Sequence, residues 1–227
     1  MRFRLVDYET TCVLDLPSAG QHEYARQAEV LMLGTAVEAG TPYIASNLRE
    51  AYQPGDTLVS WGSFDRVIAQ TVEKFPAPWI DASALALYVG LPRSLKKFCA
   101  AVGIESTKDP RGTRLINKYS RDPSLALEGE DRKAFEEYCL QDVALLQKAW
   151  AVLGPLYPEW KKTQEENYYH YESMNARGVP IDRAAIEEAL ARDAPRLRCE
   201  LVEAEPEQSL PALAVGDVDL VLADEWQ

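Results

Sequence analysis

Two carboxylates, Asp7 and Glu9, lie two residues apart in the stretch LVDYE. The surrounding residues 2–9 have the apolar character of a buried β-strand. Side chains alternate between the two faces of a strand, so both acids project from one face, about 7 Å apart. Two like charges at that distance repel each other, and a hard divalent cation such as Mg²⁺ relieves the repulsion by binding carboxylate oxygens. An isolated D-x-E pattern more often lies at a frayed strand end and faces water.

Two further acids are predicted at positions where a carboxylate can contribute to a site. Asp65 follows a predicted strand at 56–61 and lies in the first turn of the next helix, where an acid also interacts favourably with the helix dipole. Asp142 lies in the middle of the apolar stripe of a long helix predicted for 130–153, and Tyr138 precedes it by one turn. An acid directed at the core breaks the pattern of its helix, which is typical of functional sites. A hydrogen bond from a Tyr hydroxyl would satisfy such an acid equally well.

The elements that must position these residues follow an α/β pattern. Strands at 2–9, 30–37 and 42–48 predict an antiparallel meander, with a turn at Glu38-Ala39-Gly40 between the last two. The strand at 56–61 begins an alternation of strand and helix. Helices are predicted for 64–75, 83–88, 94–102 and 130–153, a turn and a short helix for 112–121, and another long helix after Pro158. Together they predict a mixed β-sheet flanked by helices.

Composition and charge exclude several classes of protein. No apolar stretch is long enough for a bilayer span and no signal peptide is recognisable, so no membrane association is expected. The four cysteines form no C-x-x-C pair, which argues against a disulfide framework or a structural zinc site. Net charge is −12, but residues 93–121 hold eight basic and two acidic residues, a charge of +6 that leaves −18 elsewhere. Such a strip can contact phosphates, or it can be a solvated surface.

The order of the acidic motifs resembles the DEDD exonuclease superfamily, specifically its tyrosine subclass, which includes the 3′–5′ proofreading domains of DNA polymerases. The first motif matches at Asp7-Tyr8-Glu9, the second at Phe64-Asp65 and the third at Tyr138 and Asp142. The segments LPRSLKKFCAAVGI and KDPRGTRLINKYS resemble the matching region of bacteriophage family A polymerases. The segment ESMNARGVPID resembles the passage from exonuclease to polymerase in these enzymes. The resemblance covers roughly residues 1–190.

The resemblance implies a ribonuclease H-like fold and a two-metal mechanism. Asp7, Glu9, Asp65 and Asp142 would hold two Mg²⁺ or Mn²⁺ ions about 3.5–4 Å apart, and Tyr138 would orient the attacking water. The implied activity is removal of nucleoside 5′-monophosphates from single-stranded or frayed DNA 3′ ends, as in proofreading during phage DNA replication. The implied location is the cytoplasm of a phage-infected or bacterial cell.

The predicted DNA contacts come from a run of basic residues and one aromatic residue. The basic strip supplies Lys108, Arg111, Arg114 and Lys118 as a track for the strand. Relatives often carry His-Asn or a similar polar pair just before the second motif, whereas this chain has Ser60-Trp61. Trp61 could stack on a base or belong to the core. Glu137 occupies the position five residues before Asp142 where the histidine subclass has its histidine, so that subclass is excluded.

The predicted organisation is an exonuclease domain at 1–155 and a helical appendage at 156–227. The appendage resembles the start of a polymerase region and has an acidic tail. The chain is too short for a whole family A polymerase, so it could be a stand-alone exonuclease, the exonuclease part of a split polymerase, or a truncated product. In a split polymerase, Met174–Asp182 could dock on a separate polymerase subunit; alternatively, the segment is part of a helical appendage that packs on the exonuclease domain. Two other functions stay open: a ribonuclease of the same subclass, as in the ribonuclease D group, and a non-catalytic DNA-end-binding or assembly module.

Overall fold

The computed structural model describes residues 1–105 and 110–178, together with Glu188 and Arg192. The strands in these ranges are β1 (Arg2–Thr11), β2 (Glu29–Val37), β3 (Tyr43–Ala45), β4 (Asp56–Ser60) and β5 (Trp79–Asp81). The helices are α1 (Leu16–Gln27), α2 (Leu48–Ala51), α3 (Phe64–Thr71), α4 (Ala82–Tyr88), α5 (Leu95–Ala101), α6 (Pro110–Tyr119), α7 (Gly129–Leu153), α8 (Tyr157–Thr163) and α9 (Glu165–Arg177). A 3₁₀ turn, Gly154–Leu156, joins α7 to α8. None of these helices has the length and hydrophobicity that a membrane span requires.

The five strands form one mixed sheet in the order β3-β2-β1-β4-β5. β1 is antiparallel to β2, and β2 to β3, as the predicted meander requires. β4 runs parallel to β1, and β5 runs parallel to β4. The predicted mixed α/β sheet flanked by helices is therefore confirmed, and it is compatible with a ribonuclease H-like fold. β1 has a strand on each side and is buried on both faces.

Helices cover both faces of the sheet, and the alternation along β1 separates the two cores. Leu5 faces the core under α4, α5, α7 and α8, which includes Val59, Ile80, Phe98, Leu146 and Trp150. Val6 faces the opposite core under α1 and α3, which includes Tyr8, Leu58, Ile68 and Trp79. The predicted face of Leu5, Asp7 and Glu9 is thus the one that α7 covers.

A glycine in β2 determines how closely α7 approaches the sheet. Gly34 pairs with Asp7 across the β1–β2 ladder. A Cβ atom on Gly34 would lie 2.6 Å from Cys139 Sγ and 2.8 Å from Val143 Cγ2, both on α7. Carbon atoms in contact are normally about 3.5–4 Å apart, so any side chain at this position would force the helix away.

Several elements differ from the sequence prediction. The pattern predicts no element at α1, which has Pro17 in its first turn and a kink at Gly20, where φ is 71°. β5 is also absent from the prediction because it has three residues. The strand predicted at 42–48 ends at Ala45, since Asn47 caps α2 by accepting a hydrogen bond from the amide of Glu50. The helix predicted after Pro158 is divided at Gln164 into α8 and α9.

Helices α8 and α9 pack against the sheet and its covering helices. Tyr157 and Trp160 of α8 belong to the same core cluster as Trp150. In α9, Glu172 forms an ion pair with Arg66 of α3, and the Tyr169 hydroxyl donates a hydrogen bond to the carbonyl of Trp79. The division of the chain at residue 155 stays a prediction. The acidic tail and the segment 179–182 lie outside the described residues.

Candidate metal centre

The first motif lies where β1 passes beneath α7. Asp7 and Glu9 share one face of the strand, and one ligand atom from each lies within 4.8 Å of the other and of Cys139 Sγ. Glu9 is 8% exposed, and the ladder between β1 and β2 is irregular immediately after it. This buried Asp/Glu/Cys group could bind a metal ion, because its two carboxylates are the ligands that hard divalent cations prefer.

Asp65 is brought to the same strand by the connection from β4 to α3. The parallel pairing between β4 and β1 extends from Arg2 to Leu5. Beyond it, the amide of Tyr8 donates a hydrogen bond to Asp65 Oδ1 over 2.9 Å. Asp65 is 6% exposed and therefore lies inside the fold rather than at a solvated helix end. Its carboxylate satisfies a backbone donor of β1 directly beside Asp7.

The third motif enters from α7. Tyr138 is buried, and its hydroxyl is hydrogen-bonded to the carboxylate of Asp142 one turn later. On its other side, the Tyr138 ring packs against Gly112 of α6, where a Cβ atom would lie 2.2 Å from Cδ2 and Cε2 of the ring. The ring is therefore held in place by a glycine that allows α6 to lie directly against it.

The pKa of Asp7 responds to the charges of the three other acids. Burial raises the pKa of Asp7 well above its usual value, and the charges of Asp65, Glu9 and Asp142 raise it further. Burial also raises the pKa of Asp65 to about 7, against the lowering effect of the Tyr8 amide. The three neighbouring charges make Asp7 harder to ionise, so its surroundings favour either a bound proton or a bound cation at this carboxylate.

Cys139 is the neighbour of the acids that sequence reasoning missed. Its Sγ lies 3.7 Å from Asp7 Oδ2 and 3.8 Å from the Asp7 carbonyl oxygen. Burial and the charges of Asp7 and Glu9 raise the pKa of this thiol, so it is neutral and donates to the carboxylate. In the sequence Cys139 is one member of the apolar stripe of α7, and its place between Tyr138 and Asp142 is the signal that could have identified it.

The predicted DNA contacts have partners within the protein. On α6, Arg111 Nη2 lies 3.1 Å from Glu137 Oε2, and both Arg114 and Lys118 pair with Asp131, at 3.1 and 2.8 Å. These three cations are exposed at the surface of the helix that holds the Tyr138 ring. Lys108 lies outside the described residues.

Trp61 has a position typical of a structural residue. Its Nε1 donates to the carbonyl oxygen of Arg93 over 2.7 Å, and its ring centroid lies 5.0 Å from that of Phe98. The half-buried ring thus packs on the core beneath α5. Base stacking by Trp61 stays a prediction.

Among known proteins, the chain is similar to a phage DNA polymerase. No family model matches the chain. Over 85% of its length the chain is 27% identical to a DNA polymerase of Bacillus phage SP02, and the match covers 34% of that polymerase. The chain therefore spans about a third of the length of this relative. The similarity indicates a polymerase-related domain.

Proposed function

We propose that the chain is a two-metal 3′–5′ exonuclease that removes nucleoside 5′-monophosphates from single-stranded or frayed DNA 3′ ends. The observation that carries this proposal is the convergence of Asp7, Glu9, Asp65 and Asp142. Three separate elements deliver them, and the other three acids all raise the pKa of Asp7. Carboxylates that repel one another inside a fold are costly to keep ionised, and bound divalent cations offset that cost.

The four acids are the proposed ligands of two Mg²⁺ or Mn²⁺ ions. Such ions supply an activated water and stabilise the charge that develops on a phosphodiester during hydrolysis. The carboxylate oxygens fit hard cations, and the buried Cys139 thiol, which is neutral here, is not needed as a ligand. Asp65 also accepts a hydrogen bond from the Tyr8 amide, which fixes one of its oxygens beside β1.

Tyr138 is the proposed orienting group for the attacking water. Burial and the Asp142 carboxylate raise its pKa, so the phenol stays protonated at neutral pH and is a poor base. Because its proton is donated to Asp142, its oxygen can accept a hydrogen bond from water. The close packing of Gly112 on the ring restricts the rotation that would misdirect this bond.

DNA is the proposed substrate because the similarity is to a DNA polymerase. The proposed track is the exposed side of α6, with Arg111, Arg114, Lys118 and the preceding Lys108. Exposed ion pairs such as those with Asp131 contribute little to stability, so a phosphate can replace them at little cost. A proofreading role and a separate polymerase subunit as partner belong to the same proposal.

The direct test is incubation with 5′-labelled single-stranded DNA in Mg²⁺ or in EDTA. We expect a ladder of products that shorten from the 3′ end and appear only with Mg²⁺. Asp7→Ala with Glu9→Ala should abolish the ladder, while the control Glu50→Ala with Glu105→Ala, two exposed acids, should retain it. Wild-type cleavage by the Asp7/Glu9 variant would refute the metal site. A matched RNA strand separates the remaining possibilities: preferential RNA cleavage indicates a ribonuclease, and binding without cleavage indicates a non-catalytic module.

A further inference from the structure

Two side chains form hydrogen bonds with the backbone of Gly62, which lies in the turn between β4 and α3. Gly62 has a φ of 101°, in the left-handed region that favours glycine. Its amide donates to Asp81 Oδ1 over 2.9 Å, and its carbonyl accepts a hydrogen bond from Ser60 Oγ over 2.7 Å. Since α3 begins two residues later at Phe64, this turn sets the position from which Asp65 reaches β1.

Asp81 is a buried acid outside the group of four. It is 4% exposed and ends β5. Besides the Gly62 amide, its Oδ1 accepts hydrogen bonds from the amide and hydroxyl of Ser83 in α4, at 2.8 and 2.7 Å, and its Oδ2 accepts one from the Tyr168 hydroxyl of α9 at 2.9 Å. Donors from the turn, α4 and α9 therefore meet on one carboxylate, which fixes it in place.

We propose that Asp81 is a positioning residue for Asp65. By holding the Gly62 amide it fixes the start of α3, so that the Asp65 carboxylate meets the amide of Tyr8. The role in metal binding rests on the proposed exonuclease function, whereas the placement of Asp65 does not. Asp81 acts through the backbone of the turn and needs no contact with substrate or metal.

Helix α9 is part of this support. Tyr168 completes the hydrogen bonds of Asp81, and the neighbouring Tyr169 donates to the carbonyl of Trp79, two residues before Asp81. One turn further along α9, Glu172 pairs with Arg66, the residue after Asp65. Helix α9 is thereby connected to the end of β5 and to α3, and its Glu172 is the first residue of the segment that resembles the passage to a polymerase region.

The first test measures the placement of Asp65 without metal or activity. In metal-free buffer, hydrogen exchange of the Tyr8 amide reports whether the Asp65 carboxylate still accepts its bond. We expect Asp81→Ala to speed this exchange about tenfold or more, because the hydrogen bond that protects the Tyr8 amide is lost. The matched control is Asp56→Ala. Asp56 is also buried and accepts a backbone amide, that of Gln53, but it lies at the opposite end of β4.

A purely structural role for Asp81 predicts a different pattern. In that case both variants would have a lower melting temperature, and the Tyr8 amide would exchange at the same rate in both. This result would overturn the inference. If Asp81→Ala does not fold, Tyr168→Phe decides the matter. It removes one donor to the Asp81 carboxylate and should still speed Tyr8 exchange severalfold, and unchanged exchange in this variant overturns the inference.

The second test uses Mn²⁺ affinity by calorimetry and the Mg²⁺ concentration for half-maximal cleavage. Residues that orient a metal ligand typically change affinity by about 10–100-fold, and we expect this loss in Asp81→Ala. Asp81→Asn should restore most of the affinity, since its amide oxygen can accept from Gly62 and Ser83. Wild-type protein that neither binds Mn²⁺ nor cleaves DNA would refute the proposed function, while the exchange test still decides the role of Asp81. Wild-type affinity in a folded Asp81→Ala would refute its effect on the metal site.

Discussion

The substitution Gly34→Ala tests whether the acids depend on the close approach of α7 to the sheet. The new methyl group would lie 2.6 Å from Cys139 Sγ and 2.8 Å from Val143 Cγ2. Restoring a contact of about 3.5 Å requires α7 to retreat by about 1 Å. Such overpacking typically costs about 1–3 kcal/mol of unfolding free energy. For a protein of this size, that lowers the melting temperature by roughly 2–4 °C per kcal/mol.

The larger effect should be on activity, because α7 also carries Tyr138 and Asp142. A misplacement of about 1 Å at a catalytic group can reduce the rate about 10²-fold. We therefore expect single-turnover cleavage by Gly34→Ala to be slowed by about that factor under conditions where the variant is folded. Rates are to be measured with excess protein over labelled DNA, and folding by near-UV circular dichroism.

A second substitution on the helix should partly reverse the defect. Cys139→Ala removes the Sγ atom, so the double variant with Gly34→Ala should recover part of both stability and rate. Neighbouring residues of this kind typically show a coupling free energy of about 0.5–3 kcal/mol. Gly154→Ala is the control, since its Cβ would lie 3.2 Å from Trp150 at the far end of α7. Unchanged stability and rate in Gly34→Ala, or no coupling with Cys139→Ala, would refute the reasoning.

Three further predictions concern Asp65, Tyr138 and the exposed side of α6. Burial raises the pKa of Asp65 to about 7, so the folded protein retains a proton that the unfolded chain releases near pH 4. Without metal, the free energy of unfolding should therefore fall between about pH 4 and 7, and melts at pH 5 and 8 should show this loss reduced in Asp65→Asn. Tyr138→Phe should slow cleavage by up to about 10²-fold with unchanged Mn²⁺ affinity, and an unchanged rate would assign Tyr138 to packing. Arg114→Glu with Lys118→Glu should weaken single-strand binding and reduce its log–log salt slope by about 0.7 per lost phosphate contact. A slope equal to that of the exposed control Lys133→Glu would exclude α6 as the track.

Strong periodic patterns made β1 and α7, which carry three of the four acids, predictable from the sequence. The alternation along β1 places Asp7 and Glu9 on the face of Leu5, and the stripe of α7 directs Asp142 toward that same face. Both elements are long, at 10 and 25 residues, so their patterns repeat often enough to be unambiguous.

Contacts between distant segments could not be predicted in this way. Nothing in the local sequence of Gly34 or Gly112 indicates that a helix lies against each of them, because the reason for the glycine is on another element. Asp81 reads as an ordinary helix N-cap in the sequence IDASAL, which is one of its actual roles. Its bonds to Gly62 and Tyr168 join residues 19 and 87 positions away, a separation that no local pattern reports.

The aromatic contacts of α8 bear on how fragments of this protein should be prepared. The Tyr157 ring centroid lies 5.8 Å from that of Phe3 and 6.2 Å from that of Trp150. A fragment that ends at residue 155 lacks Tyr157, so the rings of Phe3 and Trp150 would be exposed to solvent. The exposed apolar surface would promote self-association. Gly178 provides a better boundary, since its φ of 63° and its amide bonds to the Met174 and Asn175 carbonyls close α9. Expression and crystallisation of the region that holds the sheet should therefore include residues through Gly178.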